Sequence, residues 1–170
     1  TFDIVLANPP YSIKEWDRAA FENDKWGRNF LGTPPQGRAD YAFIQHILAS
    51  MDEKNGRCAI LLPHGVLFRK EEKEIREKLI NMDILDTVIG IGKNLFFNSG
   101  MDACIMLFQK NKPAERKGKV LFIDAHQEVT RKNAESYMEP HHIAKIVEAY
   151  RKYENVDGFS KIEENRNIIS

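Results

Sequence analysis

The tetrapeptide Asn8-Pro9-Pro10-Tyr11 carries the most specific chemistry in the chain. The Asn8 amide offers a carbonyl acceptor. Pro9 has no N–H and a fixed φ, so its own carbonyl is held in one direction. Tyr11 adds a flat π surface with a polar tip. Two convergent acceptors beside an aromatic plate suit an exocyclic amine on a planar ring. A rigid turn after a strand is the plainer reading of any Pro-Pro pair, and four residues alone leave both open.

The element that must position them is the apolar run "FDIVLA" just before. Such a short continuous run reads as a strand covered by helices on both faces. Neither proline can donate to a sheet ladder, so the strand ends at Ala7 or Asn8. In open α/β sheets, sites form at the carboxyl ends of strands, and the motif sits at such an end.

Further along, Asp40 is expected to cap a helix whose Tyr41, Phe43, Ile44, Ile47, Leu48 and Met51 recur at helical spacing. "CAILLP" is a second buried strand, and "FRKEEKEIREKLI" the next helix. On that helix Glu72–Arg76 and Glu74–Lys78 read as surface pairs at four-residue spacing, on a solvated charged face. "ILDTVIGI", "DACIMLFQK" and "KVLFIDA" are further strands. A last amphipathic helix runs from about Pro140 to Tyr153. Between Ile84–Ile91 and Ala103–Gln109 there is no room for a crossover helix, so that pair is expected to be antiparallel. The order is that of a doubly wound α/β sheet. Residues 1–125 read as a catalytic unit, and 126–170 as a helical extension that could serve as a subunit interface.

Composition narrows the classes. A chain of 170 residues, 42% apolar and 29% charged, can bury a core as a soluble domain. Zero formal net charge gives no global attraction to nucleic acid, although a local groove or a partner could supply it. Cys58 and Cys104 lie inside apolar strands, as buried free thiols of a cytoplasmic protein do. No metal-ligand spacing is present: His141–His142 reads as solvated surface, and no metal is expected. "GIG" at Gly90–Gly92 lacks the third glycine of a dinucleotide loop, because Leu95 stands there. No apolar run is long enough to span a membrane. The chain opens on Thr and runs straight into a buried strand, as a piece of a longer protein would.

The amino group of adenine is an amine of the kind the motif suits. Its lone pair is delocalised into the purine, which makes it a poor nucleophile. Acceptors on both N–H bonds favour a pyramidal nitrogen and aim the lone pair at an electrophile, here the methyl sulfonium of S-adenosylmethionine. Catalysis would then be positioning and charge stabilisation. The base must first leave the helix stack, and an aromatic ring can hold it once flipped.

"NPPY" after an apolar strand resembles the catalytic motif of amino-group methyltransferases. The wider pattern is more specific. "FDIVLANPPYS", "GTPPQGRADYAFIQHIL", "GRCAILLPHGVLFRKEEKEIREKLI", "NLFFNSGMDACIMLFQK" and "VLFIDA", in that order, are similar to the modification subunit of type I restriction–modification systems, the N6-adenine DNA methyltransferases. "NPPY" alone would equally fit methylation of protein glutamine at N5; "GVLFR" and the long loop before the helix favour DNA adenine. A catalytically inactive methyltransferase-like module for assembly or DNA binding is the other alternative.

The resemblance implies the C-terminal half of a class I, Rossmann-like methyltransferase fold: a mostly parallel sheet with a final antiparallel strand pair. It implies S-adenosylmethionine as methyl donor, with Asn8, Pro10 and Phe43 facing the cofactor. Asn8, Pro9 and Tyr11 would contact the target base, with Pro10 holding the turn, and Phe96 or Phe97 would face the flipped base opposite Tyr11. The implied partners are double-stranded DNA, a sequence-specificity subunit and a motor-nuclease restriction subunit. The Lys14–Arg38 loop reads either as a mobile connection or as a lid in which Trp16, Trp26, Arg28 and Arg38 touch nucleic acid. The Gly-rich cofactor loop and acidic residues that precede the motif in the family are not in this sequence. The 170 residues alone are therefore expected to bind cofactor poorly and to be inactive.

Overall fold

A computed structural model of the chain describes residues 1–96, 100–133 and 135–169. Six strands build the main sheet: β1 (Ile4–Ala7), β2 (Arg57–Pro63), β3 (Leu85–Ile91), β4 (Ala103–Gln109), β5 (Lys119–Ala125) and β8 (Ser160–Glu164). Their spatial order is β1-β2-β4-β3-β5-β8. β1 pairs with β2 and β3 with β5 in parallel; β4 is antiparallel to both its neighbours, and β8 to β5. Four strands therefore share one direction, as the sequence reading expected, and the β3–β4 pair is antiparallel. The new feature is that β4 lies inside the sheet, between β2 and β3.

Pleating sorts the core onto two faces. Cys58, Ile60 and Leu62 of β2, Val88 of β3, and Cys104, Met106 and Phe108 of β4 point to one side. There they meet Ile44, Ile47 and Leu48 of α2 (Asp40–Ser50) and Ile75 and Leu79 of α3 (Lys73–Asn81). The alternate residues Ile89, Ile91, Ala103, Leu121 and Ile123 face Ile146 and Ala149 of α4 (Pro140–Lys152). α4 covers only the β3–β5 side, so Ile4 and Leu6 of β1 stay exposed. Cys58 and Cys104 are free and buried, and burial pushes each thiol up to about 12.

Several local expectations change. Ala39, not Asp40, is the N-cap of α2, and no side chain bonds to that cap. The charged segment before α3 is a 3₁₀ turn over Lys70–Glu72, and the α-helix begins only at Lys73. Glu72 is fully buried rather than on a solvated face, and the surface pair there is Lys73–Glu77. Gly56 closes the turn into β2, where a Cβ would come within 2.7 Å of the Asp52 nitrogen.

Beyond residue 125 there is strand as well as helix. A hairpin of β6 (Thr130–Lys132) and β7 (Glu135–Tyr137) precedes α4, and β8 then joins the main sheet before the short α5 (Asn165–Ile169). "SKIEE" alternates without an apolar run, as suits an edge strand with one solvated face. His142 is buried rather than solvated: its Nδ1 accepts the Glu139 N–H at 3.1 Å as part of a capping box for α4. That cap accounts for the grouping of Glu139, His141 and His142, whose potential ligand atoms lie within 4.8 Å of one another.

Candidate active site

Asn8 to Tyr11 leave the sheet at the carboxyl end of β1. Pro9 is buried, Tyr11 half-buried, and Asn8 and Pro10 are exposed. Among the described residues, neither the Asn8 amide nor the Pro9 carbonyl takes a hydrogen bond from the chain, so neither acceptor is spent internally, and the exposed Asn8 amide faces solvent. The Tyr11 hydroxyl is itself buried without a partner among the described residues, and burial raises its pKa. An aromatic plate with an unspent hydroxyl is held by packing rather than by its own polar tip.

The turn is held one residue later. Ser12 adopts φ 48°, unusual for a residue with a side chain. Its N–H donates to Asp40 Oδ1 at 2.7 Å, and its hydroxyl to Asp40 Oδ2 at 3.2 Å. Arg69 Nη2 donates to the same carboxylate at 2.7 Å, and Arg69 Nε to Glu72 Oε2 at 2.8 Å. Arg76 closes the group by donating to the Arg69 carbonyl at 2.6 Å. Asp40 is 1% exposed and Glu72 0%. Reading by helical spacing assigned Asp40 to a cap and Glu72 to solvent. The only local signal of a different role was at Asp40, which follows the Pro- and Gly-rich stretch 32–37.

Burial pushes the Glu72 carboxyl up to about 7; Asp40 adds to the rise, while Arg69 and Arg76 oppose it. An acid that holds its proton more tightly when folded stabilises most at low pH. Its contribution is full below the ordinary value of 4.5 and is lost as pH rises through about 7. Glu72→Gln is expected to flatten the dependence of stability on pH across that window, measured by urea denaturation. An unchanged slope would contradict the assignment.

Phe43, on the first turns of α2, lines a cavity of about 330 Å³ with Ile13, Trp16, Phe21, Arg28 and His46. The Lys14–Arg38 segment that forms its outer wall is knitted down. Trp16 Nε1 donates to the Gln36 carbonyl at 2.7 Å, and the buried Gln45 accepts the Leu31 N–H at 2.7 Å. Arg28 is paired with Asp24, and Trp26 is 78% exposed. Phe96 is half-buried and packs against the core on the α4 side; Phe97 lies outside the described residues.

At the same end of the sheet, "GIG" is a strand end. A Cβ at Gly90 would come within 2.6 Å of the His126 ring, so the glycine lets that imidazole lie across β3. His126 Nδ1 pairs with Asp124 at 2.7 Å, and its ring meets that of His64 at 5.8 Å.

The N-6 DNA Methylase family model matches residues 1–170. The chain belongs to this family. Within it, the MjaVII methylase subunit of a type I restriction enzyme from Methanocaldococcus jannaschii is 34% identical, the match covering 94% of this chain and 29% of that protein. The crystal structure of a type I restriction-modification methyltransferase subunit from Streptococcus thermophilus superimposes with a TM-score of 0.89 at 37% identity, over 99% of this chain and 36% of that one. A class I S-adenosylmethionine-dependent methyltransferase from Listeria monocytogenes, 15% identical with a TM-score of 0.57, shares the fold over 89% of this chain and 42% of its own. This member of the N-6 DNA methylase family thus has a class I methyltransferase fold and spans about 30% of the length of such curated relatives.

Proposed function

We propose that the full-length protein transfers a methyl group to adenine N6 in DNA, as the modification subunit of a type I restriction–modification system. The observation that carries this reading is the pair of unengaged acceptors, Asn8 and Pro9, at the carboxyl end of β1 in a chain of the N-6 DNA methylase family. Each acceptor takes one N–H of the amine, which favours a pyramidal nitrogen and draws its lone pair out of conjugation with the purine. The ring of Tyr11 stacks on the extruded base, and Phe96 or Phe97 faces it from the other side. Pro10 keeps the turn closed.

The residues present fit S-adenosylmethionine. The aromatic cavity walled by Trp16, Phe21 and Phe43 has the size and lining for its adenine. Asn8 and Pro10 border the reacting end. When bound, this cofactor supplies the electrophilic methyl group. The side chains orient the amine toward it and shield it from water. No residue of the chain need take a covalent part, and no metal enters the proposal.

Duplex DNA, a specificity subunit that reads sequence and a motor-nuclease subunit are the partners in this reading. A zero net charge on the 170 residues is in keeping with sequence reading by another subunit. None of the described helices is long and apolar enough to cross a membrane. The deciding experiment maps methylated bases in DNA treated with the full-length protein and its co-purifying partners. Methyl transfer to adenine N6 is expected; transfer to a protein glutamine instead would replace the reading. The 170 residues by themselves are expected to bind S-adenosylmethionine weakly, and micromolar affinity by calorimetry would overturn that expectation.

A further inference from the structure

We propose that Arg69 is a positioning residue for the motif turn, acting through Asp40 on Ser12 to set the direction in which Asn8, Pro9 and Tyr11 face the substrate. The proposal rests on the methyl-transfer reading above and names what holds that site in register. Pro9 and Pro10 have φ fixed by their rings, which leaves both backbone torsions soft at Tyr11 and Ser12 and only ψ at the prolines. Tyr11 cannot anchor itself, because its hydroxyl has no partner among the described residues. Ser12 sits in the left-handed region at φ 48°, and two bonds to Asp40 keep it there.

One guanidinium fixes Asp40 in turn. Arg69 reaches Asp40 at 2.7 Å, Glu72 at 2.8 Å and the Ser12 hydroxyl at 3.4 Å. It thereby ties three segments together: the exit from β1, the first turn of α2 and the 3₁₀ turn before α3. Its own backbone is held by Arg76. The planar fork suits this task, since its N–H groups point in set directions; a lysine ammonium offers a point charge on a flexible stem. Well-packed apolar residues of similar volume often match or exceed the stability of a buried ion group. What they cannot supply is a directed restraint on one backbone N–H. Placing reacting groups is worth much: a misplacement of about 1 Å can cost about 100-fold in rate.

The test uses the full-length methylase with its partner subunits and three variants, Arg69→Lys, Ser12→Ala and Arg116→Lys. Arg116 lies on the far side of the sheet, under α4, so its variant measures what lost stability alone does. Rates are taken per folded molecule, and amide hydrogen exchange is read at Ser12. Arg69→Lys is expected to lower kcat by about 10- to 100-fold, with KM for S-adenosylmethionine and DNA changed by no more than about threefold. Its Ser12 amide should exchange at least about 10-fold faster than in the wild type. Arg116→Lys should lower the melting temperature without either effect.

The proposal fails if the kcat of Arg69→Lys matches that of Arg116→Lys, or if the Ser12 amide exchanges at the wild-type rate. Should Arg69→Lys not fold, the wild-type Ser12 amide decides: held by Asp40, it should exchange at least about 10-fold more slowly than an unbonded loop amide, and an unprotected rate overturns the clamp. Ser12→Ala, which removes only the hydroxyl contacts, reads their share of kcat. Absence of adenine methylation by the wild type would remove the proposed function, and Ser12 exchange would then judge the clamp by itself.

Discussion

Under the proposed function, Asn8→Ala in the full-length protein is expected to lower methyl transfer by at least about 100- to 1,000-fold, the loss seen when one directed hydrogen-bonding group at a reacting centre is removed. Stability should hardly change. The Asn8 side chain is exposed and has no partner among the described residues, so the substitution falls in the class worth within about 0.5 kcal/mol. This combination, lost chemistry with an unmoved melting temperature, separates a substrate contact from a structural turn. Wild-type methylation by Asn8→Ala would sink the mechanism. Tyr11 gives a companion result. Its hydroxyl is buried and unpartnered, so Tyr11→Phe removes no bond and should be neutral or mildly stabilising. Tyr11→Ala removes the proposed stacking surface and should cost most of the activity.

Arg116→Met is the substitution expected to damage the fold most. Asp86 on β3 is 0% exposed, and Arg116 Nη1 meets its Oδ2 at 3.1 Å. The same guanidinium donates to the Tyr150 carbonyl at 3.1 Å and lies 4.3 Å from the centre of the Tyr153 ring, so it joins the sheet to α4. Removing it strands a buried carboxylate with, among the described residues, only the Thr87 hydroxyl at 2.9 Å as a donor. Breaking one side of such a pair typically costs about 3–5 kcal/mol. Urea denaturation should show a loss of that order. The double variant Arg116→Met with Asp86→Leu should recover much of it, because no unpaired charge then remains. A double variant as unstable as the single would mean that packing against the tyrosines, and not the charge, is what matters.

Apolar runs made most of the sheet legible before any coordinates. "FDIVLA", "CAILLP", "ILDTVIGI", "DACIMLFQK" and "KVLFIDA" are all strands, and the short spacing between β3 and β4 required the antiparallel pairing that is found. Buried charge was the blind spot. Arg69, Glu72 and Arg76 recur among surface-type residues, and helical periodicity places them in solvent. Only the folded chain brings Asp40, twenty-nine residues before Arg69, to meet them. Lys112 was missed for the same reason: its ammonium is buried and bonded to Asp83 at 2.9 Å and to the Leu85 carbonyl at 3.0 Å. The candidate motif stood out in the sequence because proline and asparagine act through local geometry. What holds the motif in place could not, because it depends on partners distant in sequence.

The internal position of β4 has a consequence for how the sheet comes together. β1 with β2, and β3 with β5, are parallel pairs that share no ladder with each other; β4 alone bridges them. β2 must therefore wait, with one edge bare, until a strand made some forty residues later returns to fill the gap. Such delayed, non-local pairing is slow, and the waiting edge is a template for wrong partners. The seven residues Ala103–Gln109 act as a zipper tab: once seated they close two half-sheets at one stroke, and until then only the packed helices hold the halves near each other.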